Sequence, residues 1–148
     1  MFVRRITALS LLLSLAACDP ADRERTDARR FLSAYAALDH RDPVSERERE
    51  VEGLSSLPLH APVVMKARDA CVAAHRALIG AERAQELAAS ALERALAARP
   101  DGEPLSKEQS EKVQQSIVQA ESALTGARTR FAPCEAEARA LALRYAER

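Results

Sequence analysis

The sequence predicts an all-α protein: a three-helix base that carries a long antiparallel two-helix coiled-coil hairpin. Three observations lead there. Ala, Leu, Glu and Arg dominate the 148 residues, 30% of the residues are charged and only four are glycine, a composition that favours long helices over sheets or barrels. Apolar residues recur at alternating spacings of three and four through the last third of the chain, the heptad pattern of a coiled-coil seam. One pairing of two such stretches brings a turn, a seam and two cysteines into register at once.

The first helical stretch is DRERTDARRFLSAYAALDHR, residues 22 to 41, where Ala28, Phe31, Tyr35 and Leu38 form one apolar stripe. Asp42-Pro43 breaks and restarts the chain, the aspartate suited to a cap and the proline to a first helical position. SEREREVEGL follows as a short, highly charged piece ending near Gly53, and its alternating charge reads as a solvated face. SSLPLHAP is a linker punctuated by Pro58 and Pro62. A second long helix spans about 62–99, RPDGEP makes the turn, and a third helix spans about 106–147. Ser106 and Gln109 have capping-box spacing, and Pro133 predicts a kink.

In an antiparallel hairpin the numbers of facing residues sum to a constant. Setting Cys71 against Cys134 places Ile117 against Ala88, Leu124 against Ala81, Phe131 against Ala74 and Leu78 against Ala127. Large faces small at each of these positions, which lets two helices interdigitate. The same pairing extends the seam from Ala95 and Ser110 to Val64 and Leu141, sets His60 opposite Tyr145, and leaves Gln85 facing Ala120 as the one polar mismatch. The bulky residues Val63, Val64, Met65, Phe131, Leu141, Leu143 and Tyr145 gather at one end, where the first helix can pack its stripe. Beside the seam a further line, Ala70, Ala77, Ala84, Ala91 and Ala98, recurs every seven residues. It reads either as helix propensity plus contact with the first helix or a shallow flank, or as a partner-binding stripe for another helix.

The first residues read MFVRRITALSLLLSLAACDP. Arg4 and Arg5 make a positive start, Ile6 to Ala17 an apolar run too short to span a bilayer, and small residues follow. Leu15-Ala16-Ala17-Cys18 resembles the lipobox of bacterial lipoproteins. The resemblance implies a signal peptide over 1–17, cleavage before Cys18, and a single helical lipoprotein domain over 18–148. It also implies lipidation of the Cys18 sulfur, with acyl chains that anchor the protein to the membrane. The expected location is the bacterial cell envelope, facing the periplasm. In enterobacterial lipoproteins an aspartate after the cysteine resembles an inner-membrane retention signal, so Asp19 favours that membrane.

Cys71 and Cys134 are the cysteines that remain. In an oxidising periplasm a disulfide between them is the default. Such a bridge is worth roughly 4 kcal/mol in the chain-entropy model. The alternative is a zinc site completed by His75, four residues after Cys71, and by Glu135 or Glu137 beside Cys134.

Loss of Arg4 and Arg5 with the leader leaves 20 basic against 22 acidic side chains, so no basic excess exists to hold nucleic acid. The three histidines, His40, His60 and His75, stand beside no evident nucleophile, and the chain contains no nucleophile elbow, phosphate-cradling glycine loop or His-Glu-x-x-His. The sequence therefore predicts no enzyme, no catalytic residues, no metal and no cofactor. It predicts an interaction or scaffold lipoprotein that meets an envelope protein partner through its hairpin. Two alternatives stay open: a structural envelope lipoprotein that works by self-association, and a small periplasmic inhibitor of a wall-degrading enzyme. The small murein lipoproteins, which this chain resembles only in general character, attach to peptidoglycan through a C-terminal lysine, whereas this chain ends Ala146-Glu147-Arg148.

Overall fold

Asp19 and Pro20 set the start of the first helix. The Asp19 carboxylate accepts the Ala21 N–H at 3.0 Å, which satisfies a donor with no partner inside the helix. In the computed structural model, which describes residues 19–99 and 103–146, four helices follow in order: α1 Pro20–Ala36, α2 Val44–Ser55, α3 Pro62–Ala97 and α4 Lys107–Ala146. No strand occurs among the described residues, and the protein is all-α. The leader over 1–17, the lipidation site Cys18 and residues 100–102 of the turn lie outside the described residues.

α1 ends at Ala36, before the end of its stripe. The cause lies just downstream, where the Asp39 carboxylate accepts the Arg41 N–H at 2.9 Å and also binds the Arg41 guanidinium. An aspartate that bonds its own neighbouring backbone favours a turn over helix.

α2 is where the sequence reading needs correction. Its charges are not simply a solvated face. Arg47, Val51 and Leu54 are buried at spacings of four and three. Arg47 reaches Glu82 of α3 with both terminal guanidinium nitrogens, Glu48 pairs with Arg83 at 2.7 Å, and Glu52 pairs with Arg76 at 2.9 Å. The alternating charge is thus largely a set of cross-helix ion pairs. α2 joins α1, α3 and α4, so the base draws on four helices.

α3 and α4 run antiparallel. Lys66 pairs with Glu137 and Cys71 bonds Cys134 near the start of α3, while Ala91 and Ala95 lie beside Gln109 and Val113 near its end. At 1.5 Å per residue the 36 residues of α3 span roughly 54 Å. Ser106 and Gln109 form a reciprocal capping box at the entry to α4, Ser106 Oγ accepting the Gln109 N–H at 3.2 Å and Gln109 Oε1 accepting the Ser106 N–H at 3.0 Å. α4 runs as one helix through Pro133.

Burial follows the seam unevenly. Val64, Ala67, Cys71, Ala74, Ala81, Ala88 and Ala95 are buried on α3, and Val113, Ala120, Ala127, Cys134, Ala138 and Leu141 on α4. The larger seam residues Leu92 and Ile117 are partly exposed, and Gln85 is exposed, its side chain clear of the seam. Ile117 faces Ala88 and Leu92 faces Val113, and two helices alone leave the outer edge of such a seam open to solvent. The continuous core belongs to the base, where Phe31, Val51, Leu54, Val64, Cys71, Ile79 and Cys134 pack together. Leu143, expected with that cluster, is exposed.

One buried charge fixes the base. Asp27 of α1 accepts the backbone N–H groups of His60 and Ala61, at 2.7 and 2.9 Å, where the chain enters α3. Burial pushes its carboxyl upward, but those two hydrogen bonds and the nearby charges of His60 and Arg30 together hold it below the usual carboxylate range. Its contribution is therefore complete at neutral pH and is lost as pH falls through that lowered value. Asp27→Ala should cost about 1–3 kcal/mol, seen as a lower urea midpoint at pH 7. An unchanged midpoint would mean that water serves those donors equally well.

Candidate functional site

The sequence singled out two places, the cysteine pair and the alanine line. Heptad spacing delivers Cys71 and Cys134 to the same seam level, and both are fully buried. Their Cα atoms are 4.5 Å apart and the sulfurs are at disulfide distance. The Tyr35 hydroxyl from α1 lies 3.5 Å from the Cys134 sulfur. A bridged sulfur carries no proton, so the hydroxyl is the donor. Burial, reinforced by the Glu135 carboxylate, pushes the Tyr35 hydroxyl's pKa up, which keeps it protonated.

Around this bridge sits an aromatic cage that sequence reasoning did not assemble. His75 of α3 stacks on His40 from the α1–α2 connection, with ring centroids 5.1 Å apart and planes 6° from parallel. Phe131 meets His75 edge-on at 5.2 Å, and Tyr35 does so at 5.9 Å. His75 is only 5% exposed and its Nε2 has no hydrogen-bond partner. Burial, then the positive charges of His40 and Arg47, hold its pKa down at about 4. At neutral pH His75 is an uncharged packing group. The Glu82 hydrogen bonds keep the Arg47 pKa raised, and the same bonds hold Glu82 low.

The zinc alternative does not assemble. The sulfurs are consumed in the bridge, Glu135 is exposed, and Glu137 pairs with Lys66 on the opposite flank. Among the described residues no three His, Cys, Asp or Glu side chains stand at ligand spacing. His60 and Tyr145 do not meet either. His60 opens onto a recess with Asp22 and Arg30. The Tyr145 hydroxyl donates to Glu24, which also receives Arg144 at 2.7 Å.

The alanine line lies along the opposite flank from the cage. Lys66, one turn before Ala70, crosses this flank to Glu137. Ala70, Ala77, Ala84 and Ala91 are half-buried and Ala98 is exposed. α1 reaches this side at the base, where Glu24 receives Arg144 one heptad after Glu137, and near the tip Ala91 and Ala95 floor a shallow recess of about 290 Å³ rimmed by Arg94 and Lys112.

The cage was partly legible. His75 stood out for its spacing from Cys71, whereas His40 comes from a connection whose path the sequence does not specify, and Arg47 was hidden among charges of both signs. The arrangement buries the cysteine pair and His75 at one end of α3 and α4, while toward the other end the pair buries mainly alanine. No family model matches the chain, and comparisons with curated proteins and with solved structures find no match.

Proposed function

We propose that the chain is a bacterial lipoprotein, cleaved after residue 17 and lipidated at Cys18. It faces the periplasm and acts without catalysis as an interaction or scaffold protein through the α3/α4 pair, working as a coiled-coil hairpin. One observation carries the reading. The bulky core, the Cys71–Cys134 bridge and the cage are all at one end, while the other half of the pair buries mainly alanine. A long arm that contributes little to the core has another use, and presenting a surface at a distance from the base is the simplest one. No described helix is long and apolar enough to cross a membrane, and attachment in this reading rests on Cys18 alone.

Photo-crosslinking in living cells from Ala84 and Ala91 should recover one specific envelope protein. Cys18→Ser should move the protein from the membrane to the soluble fraction and abolish that crosslink. Recovery of the protein alone would overturn the adaptor reading in favour of self-assembly. A Cys18→Ser variant that stays on the membrane would remove the lipid anchor from the account.

A further inference from the structure

The two flanks of the arm differ in shape and charge. On the alanine flank the helices close tightly. On the other flank the larger seam residues lean outward, Leu92 being 39% and Ile117 36% exposed. Leu96, one turn beyond Leu92, is 42% exposed, and Val118, next to Ile117, is 52% exposed. The register that joins Cys71 to Cys134 sets residue 117 opposite 88, so the four side chains fall along one stretch of the arm. Exposed Ala89 lies between them. Four of the six large exposed hydrophobics among the described residues are therefore gathered in one strip, which separates it from ordinary surface scatter.

This flank is already used as a helix-binding surface closer to the base. The positions His75, Glu82, Ala89 and Leu96 recur every seven residues along it. At the first, Tyr35 and His40 pack on His75; at the second, Arg47 of α2 grips Glu82 with both nitrogens. α2 itself seats on the adjoining outer face of α3, with Val51 and Leu54 inward and Glu52 and Glu48 against Arg76 and Arg83. It runs antiparallel to α3, as its ion pairs from Glu52–Arg76 to Glu48–Arg83 show, and it ends beside Glu82. Beyond Glu82 the flank that carries His75 and Glu82 leaves Leu92, Leu96, Ile117 and Val118 exposed.

Charge selects between occupants. Glu86 and Glu93 rim the strip on α3, and on α4 the flanking series runs Gln114, Glu121, Arg128. Glu86, Glu93 and Glu121 form no ion pair with any described residue. Positive charge enters at the two ends of the strip, at Arg128 toward the base and at Lys107 near the tip, where it pairs with Glu111 at 3.9 Å. Two copies meeting strip to strip would set unpaired carboxylates against one another, which is repulsive. We propose that this strip is a docking groove for an amphipathic helix of another protein, one with an apolar stripe at helical spacing and Lys or Arg on either side of it. The helix lies along the arm where α2 leaves off. This inference rests on the reading of the arm as an interaction element and names the partner's chemistry.

The test uses the full lipidated protein in nanodiscs of neutral phosphatidylcholine. The probe is a labelled helical peptide of about four turns with a leucine stripe and lysine flanks, and its counterpart carries glutamate flanks. The lysine probe should bind at least about ten-fold more tightly than the glutamate probe, above the background of empty nanodiscs. Leu96→Gln with Val118→Gln should weaken it by a similar factor, Glu93→Lys with Glu121→Lys should reverse the preference, and Leu87→Gln, at an exposed leucine outside the strip, should change nothing. Equal binding of both probes, or wild-type binding by the Leu96/Val118 variant, would overturn the groove. So would concentration-dependent dimerisation that the same variant abolishes, because a second copy would then be the occupant. A specific protein crosslinked from Ala84 or Ala91 but not from residues 96 or 118 would sink the groove and leave the adaptor reading standing.

Discussion

Breaking the bridge between Cys71 and Cys134 should cost about 4 kcal/mol of stability, the largest effect expected of any single covalent change. The bridge joins residues 63 apart in sequence, and in the chain-entropy model a loop of that size restricts the unfolded chain by about that amount. For a domain of this size the melting temperature should fall by roughly 15 °C. Both cysteines are fully buried, so mild reductant should act slowly on the native protein and quickly once denaturant opens the base. The Cys71→Ala/Cys134→Ala variant should reproduce the reduced protein to within about 1 kcal/mol, since alanine already occupies most of this seam. Calorimetry of the oxidised, reduced and double-alanine forms decides the matter. Equal melting temperatures would mean that packing alone holds the two helices in register.

The second large effect is acid sensitivity. The folded His75 pKa is about 4, against 6.5 for an ordinary histidine. Between those values the unfolded chain binds a proton that the folded chain refuses, so stability falls as pH drops from 6.5 toward 4. The difference amounts to roughly 3 kcal/mol. Every element around the ring works in this direction or is neutral to it. His40 and Arg47 repel a positive imidazole, Tyr35 and Phe131 offer aromatic edges, and the Glu82 carboxylate is occupied by Arg47. His75→Phe keeps a flat ring in the cage and should flatten the pH dependence of the urea midpoint over this interval. If the variant and the wild type lose stability in parallel, another group is responsible.

The seam could be read from the sequence because heptad spacing is a strong constraint. A register that pairs alanine with Leu124 and Phe131 also pairs Cys71 with Cys134, and few other pairings do both. α2 was harder. Arg47 is a buried residue only because Glu82 receives it, and no periodicity of apolar side chains announces an ion pair between helices. The connection after Ala36 was opaque for a related reason: a turn organised by Asp39 and Arg41 brings His40 back over α3, and spacing carries no such information. Leu92 and Ile117 teach a different point. Their positions along the seam are where the heptads place them, yet their exposure depends on how many helices surround the seam, and two are too few to enclose them. The candidate groove follows from that difference between position and enclosure.

The capping of α1 has a consequence for search. Asp19 bonds into the first turn and Pro20 already belongs to the helix. With the lipid on Cys18, as proposed, a single residue separates anchor from fold. A tether so short has no slack to explore the periplasmic volume, so the arm tip stays within about one molecular length of the bilayer. Two such molecules, or one and a partner rooted in the same membrane, would find each other by lateral diffusion in a plane. An encounter of that kind sustains useful occupancy even when the contact itself is weak.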